Sequence, residues 1–262
     1  MKKLRYQRRQ SRSAIWALRL AVFAVLLLAL GFLSHRFWIL ETPDFVFVAC
    51  ASGILALLAL LCSAKGFRNL WLNGDKGGAR SSCAMVLAFG VLLPFAVLAN
   101  AWFSSPLLYD IATDVETPPQ FPTDMSPRLP WMNALTQTLS GDPLAQFAAY
   151  PDVLGRRYRA APDRVAQGVS IVLKEFGWQV IASNVPSPET GATRFVATAH
   201  GFVLGLKSDI VIRLLDEGET TYVDMRSLSR YGKRDMGQNA AFITEFLGAL
   251  EGEVNKAPAD VE

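Results

Sequence analysis

Histidine and cysteine are scarce in this chain, with two of the first and three of the second among 262 residues. The cysteines, Cys50, Cys62 and Cys83, all fall in or beside long apolar runs, so nothing after Cys83 carries a thiol. That excludes disulfides, thiol nucleophiles and Cys-based metal sites from the second part of the chain. One histidine, His200, is left there, and no serine sits in the glycine pattern of a nucleophile elbow that such a base would serve. His200, beside Gly201, reads as a strand residue. No nucleic-acid-binding module, cofactor motif or metal-ligand spacing is present either, so no cofactor, metal or nucleic-acid partner is expected. The net charge of +3 comes from bases beside the apolar runs, where it reports membrane insertion and contact with anionic lipid.

Three such runs dominate the first hundred residues: Ala14 to Leu33, Phe45 to Ala64 and Cys83 to Phe103. Each approaches the roughly 20 residues that cross the hydrocarbon core as a helix. A lipid solvent forces the helical form, because an unpaired backbone amide there costs several kcal/mol. Arg19 stands near one end, where its side chain snorkels to the headgroups, and Pro94 bends a membrane helix without breaking it. Lys2, Lys3, Arg5, Arg8, Arg9 and Arg12 precede the first run with no acid among them. Lys65, Arg68, Lys76 and Arg80 occupy the second connection against Asp75. The first connection offers His35 and Arg36 against Glu41 and Asp44, and the third run is followed by Asp110, Asp114, Glu116 and Asp124 before Arg128. Lys and Arg collect on the cytoplasmic side, so the N-terminus is expected inside and the second part outside. A cleaved signal peptide is the competing reading of the first run, but Ser34 to Trp38 is not a small-residue cleavage site.

The expected organisation is a transmembrane region over residues 1–103, a Pro- and acid-rich stalk over 104–130, an exported α+β domain over 131–254 and a disordered tail over 255–262. Thr117, Pro118 and Pro119 favour extended backbone, so the stalk is expected to be semi-rigid, with packing against the domain as the alternative to a free spacer. Val165, Val169, Val172, Leu173 and Phe176 recur at the helical period between Pro162 and Gly177, predicting a helix. Strand patterns follow at Trp178 to Ser183, Arg194 to His200, Ser208 to Leu215 and Thr220 to Ser227. A turn at Asp216 to Glu219 pairs Leu215 with Thr220 and places Asp209 opposite Arg226. One face of that hairpin is then apolar (Ile210, Ile212, Leu214, Val223, Met225), and the other is polar (Asp209, Arg213, Tyr222, Asp224, Arg226). A last helix starts at Asp235 as its cap, with Gln238 completing a capping box. The fold class predicted is a multi-span helical membrane anchor plus an α+β domain, an antiparallel sheet with helices packed on one face.

The stretch TYVDMRSLSRYGKRDMGQNA, from Thr221 to Ala240, resembles the bacterial domain-of-unknown-function family 1499. Tyr109 to Asp114, Pro118 to Phe121, Gly177 with Trp178, and Asp209 to Arg213 are similar to it as well, so the resemblance spans most of Tyr109 to Leu250. Ser208 and Phe242 depart from residue types common in that family. The resemblance implies a role in the bacterial envelope, with the anchor in the inner membrane and the domain periplasmic. It brings no activity to carry over.

The strongest candidate site combines Arg226, Ser227, Ser229, Arg230, Gly232, Gly237 and Asn239 around a strand end and a helix start, where two guanidiniums and free amides suit an anion. The structural reading beside it pairs Arg226 with Asp209 across the strands and leaves Asp235 as a cap. Asp209, Arg213 and Asp224 on the polar face offer either a carboxylate pair for hydrolysis or a solvated ladder of charges. Asp110, Thr113 and Asp114 present oxygens to a hard cation, or simply form a turn. The function expected is a membrane protein displaying a non-enzymatic module for an envelope ligand or a membrane-protein partner. A carboxylate-dependent hydrolase and a scaffold subunit are the alternatives.

Overall fold

The computed structural model describes residues 9–122, 125, 128–186, 192–201 and 204–256. It divides into two compact units, Met1–Ala101 and Trp102–Glu262. Lys2, Lys3, Arg5, Arg8 and Asp124, and the tail from residue 257 onward, lie outside the described residues.

The three apolar runs form α1 (Arg12–Arg36), α2 (Thr42–Asn73) and α3 (Gly78–Ser104), each long and apolar enough to cross a membrane. Membrane helices gain nothing from hiding leucine from lipid, so their contacts rely on small residues that let backbones approach. Here Ala14, Ala17, Ala21 and Ala24 of α1, Ala56 and Ala59 of α2, and Ala84 and Ala88 of α3 are buried. A Cβ on Gly31 would stand 2.6 Å from Val48 Cγ1, closer than carbon atoms tolerate. Ser63 Oγ donates to the Ser81 carbonyl at 3.2 Å. Large side chains such as Phe23, Leu30, Phe47 and Leu61 face outward, the pattern of a lipid-solvated bundle. All three cysteines are free thiols.

The second unit is built on a six-stranded antiparallel sheet in the order β1-β6-β5-β4-β3. Its strands are β1 (Asp110–Ala112), β2 (Arg156–Tyr158), β3 (Gln179–Pro186), β4 (Thr193–His200), β5 (Lys207–Asp216) and β6 (Thr221–Ser229). β1 and β2 share one edge of β6, the former at Arg226 to Leu228 and the latter at Thr221 to Val223. The helices are α4 (Pro143–Ala149), α5 (Pro162–Glu175) and α6 (Gln238–Val254). Val165, Val169 and Leu173 of α5 and Ile243, Phe246 and Leu250 of α6 bury against Ile210, Ile212, Val223 and Met225, the expected apolar face. Trp178 stacks on Phe246 at 5.2 Å and meets Phe242 edge-on at 5.5 Å.

Three expectations are corrected. The β5–β6 loop sits one residue later than expected: Glu217 N donates to the Thr220 carbonyl, Asp216 Oδ1 accepts from Gly218 N, and Gly218 takes φ +88°. That moves every pair by two, so Arg213 faces Asp224 and Asp209 faces Leu228. Because side chains alternate with period two, both faces keep their membership. Second, the polar face is not solvated. Asp209, Asp224 and Arg226 are fully buried, and Phe121 packs with Val196, Val211 and Leu228 on that side. The segment expected as a stalk supplies both this cover and an edge strand, since β1 lies in it. Third, α6 begins at Gln238 rather than Asp235, and Gln238 closes no capping box; its amide donates to the Leu206 carbonyl and Ser208 Oγ.

Candidate functional site

The covered face of the sheet holds three arginine–carboxylate nodes. In the first, Arg226 Nε and Nη2 donate to Asp110 Oδ1 and Oδ2 at 2.9 and 2.8 Å. Both side chains are fully buried. Fixed donor geometry makes this fork the strong form of the ion pair. The remaining arginine protons reach the Thr138 carbonyl at 3.0 Å and Thr136 Oγ1 at 3.4 Å, and Phe121 lies under the guanidinium. Asp110 Oδ2 also accepts from Ser140 N at 3.0 Å.

In the second node Arg213 Nε lies 3.1 Å from both oxygens of its cross-strand partner Asp224, and Nη2 donates to Asp224 and to the Thr117 carbonyl. Burial pushes the Asp224 carboxyl up to about 6, against the pull of Arg213. Asp114 lies 3.6 Å from Arg213. Partial burial raises Asp114, but the Thr117 hydroxyl and the Thr117 and Glu116 amides outweigh it, and its carboxyl titrates below the usual range.

The third node is asymmetric. Arg230 Nε and Nη2 donate to Asp209 Oδ1 at 2.9 and 2.7 Å, and Nη2 also to Thr198 Oγ1 at 2.8 Å. Arg128 Nη1 stands 2.6 Å from the other oxygen, Oδ2, without the angle of a hydrogen bond. Two guanidiniums thus share one buried carboxylate. Their side chains are 19% and 20% exposed, so the node opens to solvent on the arginine side. Arg128 Nε and Nη2 are buried and make no hydrogen bond. Buried donors without acceptors are costly and uncommon.

Beside these nodes, the start of α6 is tied down from within. Asn239 Oδ1 accepts from Ser227 Oγ at 2.7 Å, while its Nδ2 donates to Ser229 Oγ and the Tyr109 carbonyl. Asp235 Oδ1 accepts from Gly237 N and Oδ2 from Asn239 N, holding the first turn through Gly237 at φ +85°. Burial raises the Asp235 carboxyl.

The residues expected as an anion site therefore part company. Arg226, Ser227, Ser229 and Asn239 spend their polar atoms internally, Gly237 is a helix cap, and Gly232 supplies a carbonyl to Asn133. Only Arg230 faces an opening. Arg226 pairs with Asp110 rather than Asp209. Asp209 and Asp224 do not converge: Asp224 lies opposite Arg213, four residues along β5 from Asp209, about 13 Å. Each carboxylate is held by its own arginine. Asp110, Thr113 and Asp114 separate as well, because Thr113 pairs with Met225 and Asp114 turns onto Thr117. His200 ends β4 opposite Lys207. Sequence reasoning missed Arg128, which stands in an aperiodic Pro-rich stretch with no pattern to mark it.

A family model described as "Protein of unknown function (DUF1499)" matches residues 110–250, from β1 to the last turns of α6. The crystal structure of TTHA0849 from Thermus thermophilus is similar over 40% of this chain and 97% of that one, at 18% identity and a TM-score of 0.23. No curated protein matches.

Proposed function

This chain belongs to the DUF1499 family, and on that premise we propose that its second unit is a non-enzymatic binding module displayed at a bacterial inner membrane. In this reading α1 to α3 anchor it with the N-terminus cytoplasmic. The bases in the flanks and the acids after the third span support that orientation. The module's ligand carries a phosphate, sulfate or carboxylate group, received between Arg128 and Arg230. The observation that carries this is the pair of buried, unsatisfied donors on Arg128, beside a second guanidinium and only one carboxylate. An incoming oxyanion would accept from Arg128 Nε and Nη2 in the forked geometry that guanidinium favours.

The test is thermal unfolding of the full chain in mild detergent, with inorganic phosphate or sulfate titrated at constant ionic strength against chloride. A ligand at 100 times its dissociation constant stabilises by about 2.7 kcal/mol. The wild type should show a saturating rise, and Arg128→Gln should abolish it while leaving the starting midpoint nearly in place. Equal responses in both proteins would make Arg128 a structural residue and remove the site.

A further inference from the structure

The first unit contains a groove of about 520 Å³ between the start of α1 and the end of α2. Its outer end carries Arg9 and Arg12, and Lys65 lies deeper on α2, three residues from Cys62. None of these three is ion-paired with another described residue, and the one acid in the lining is Asp75. Two excess positive charges therefore stand unneutralised in one cleft. The wall at this end is fixed: Lys76 N donates to the Arg9 carbonyl at 2.8 Å, and Ser11 N to the Lys76 carbonyl at 2.9 Å.

The lining changes character along the helices. On α2 it passes through Asn73, Asn69 and Lys65 to Cys62, steps of four, four and three residues that keep to one helical stripe. On α1 it passes from Arg12 to Trp16, one turn deeper into the apolar run. Hydrogen-bonding amides and cations thus give way to an indole and a thiol as the groove enters the span. We propose that this groove is a binding site for an anionic phospholipid, its phosphate between Arg12 and Lys65, its polar headgroup outward at Asn69 and Asn73, and its upper acyl chains along Trp16 and Cys62. A soluble phosphate would use the cations alone. Only a lipid also uses the apolar floor, and basic clefts between membrane helices suit acidic headgroups. The four other bases that precede the first span, Lys2, Lys3, Arg5 and Arg8, add to the attraction. The site is separate from Arg128 and Arg230 and stands or falls without them.

Native mass spectrometry of the full chain released from detergent tests it, with phosphatidylglycerol and phosphatidylcholine added in equal amounts. The wild type should retain phosphatidylglycerol preferentially. Each cation removed near a membrane surface weakens such binding about fivefold, so Arg12→Gln with Lys65→Gln should cut the preference by roughly 30-fold. Both side chains are exposed, and an unchanged helical circular dichroism signal would show the variant is folded. Glycerol 3-phosphate should not compete at concentrations comparable to the lipid. Equal retention of the two lipids, an undiminished preference in the double variant, or efficient competition by glycerol 3-phosphate would each overturn the proposal.

Discussion

Removing Asp110 is the sharpest perturbation the second unit offers. Its carboxylate accepts two hydrogen bonds from Arg226, and neither side chain reaches solvent. Asp110→Ala leaves the guanidinium buried with three neutral acceptors, the Thr138 and Pro119 carbonyls and Thr136 Oγ1. Breaking such a pair from one side costs about 3–5 kcal/mol, because a charge stays behind in a medium that solvates it poorly. For a unit of this size each kcal/mol lowers the midpoint by roughly 2–4 °C, so a fall of roughly 6–20 °C is expected. Arg226→Met should cost a similar amount. The double variant Asp110→Leu with Arg226→Met should lose much less than the two singles together, since apolar groups of like volume often replace a buried pair at little cost. Thermal unfolding of the full chain in detergent, followed in near-ultraviolet circular dichroism, reads the tertiary packing around Trp178. A single-variant loss below about 1 kcal/mol, the range of exposed pairs, would mean that water reaches this node and that the covered face is open.

Two further outcomes follow from the neighbouring nodes. The Asp224 carboxyl titrates near 6 in the fold against an ordinary 3.8, so its charging opposes folding as pH rises between these values, by roughly 3 kcal/mol at most. The wild-type midpoint should therefore fall relative to that of Asp224→Asn from pH 4 to pH 6, and parallel curves would refute the burial. Asp114, titrating below its ordinary value, acts in the opposite sense and only at lower pH. At the start of α6, Gly237→Ala meets no atom closer than Tyr150 Oη at 3.8 Å, so its cost is the left-handed backbone alone. That is about 1 kcal/mol; Asp235→Ala, which frees two helix amides, should cost about 1–2 kcal/mol. Denaturant titration of both variants checks the order.

Most of the architecture was legible because it is written in local periods. Three spans follow from composition, α5 from its 3.6-residue apolar stripe, and four strands from alternation. The hairpin slipped by two because Asp216 to Thr220 can turn at either of two positions, and both satisfy the alternation. α4, β1 and β2 were invisible for a simpler reason: helices of seven residues and strands of three are too short to show a period. The second core was misread for a third reason. Alternating Asp and Arg on a strand look identical whether water or protein neutralises them, and the neutralising groups are remote. Asp110 and Arg226 are 116 residues apart, and Arg213 and Thr117 are 96 apart.

That remoteness bears on where function is to be sought. The resemblance to DUF1499 rests most heavily on Thr221 to Ala240, and most of the polar side chains there are paired within the fold. Asp224 holds Arg213, Arg226 holds Asp110, Ser227 and Ser229 hold Asn239, Arg230 holds Asp209, and Asp235 holds the amides of α6. A pattern used up in this way specifies a sheet with two covered faces, each replaced residue exposing a buried partner. It therefore carries the fold, and apart from Arg230, which also faces the opening, it leaves the ligand to residues outside it. Arg128 is such a residue: its node already has Arg230 to balance Asp209, so its charge is surplus to structure. Arg128→Gln should accordingly spare stability where Arg230→Gln does not, and a comparable loss in both would return Arg128 to the framework.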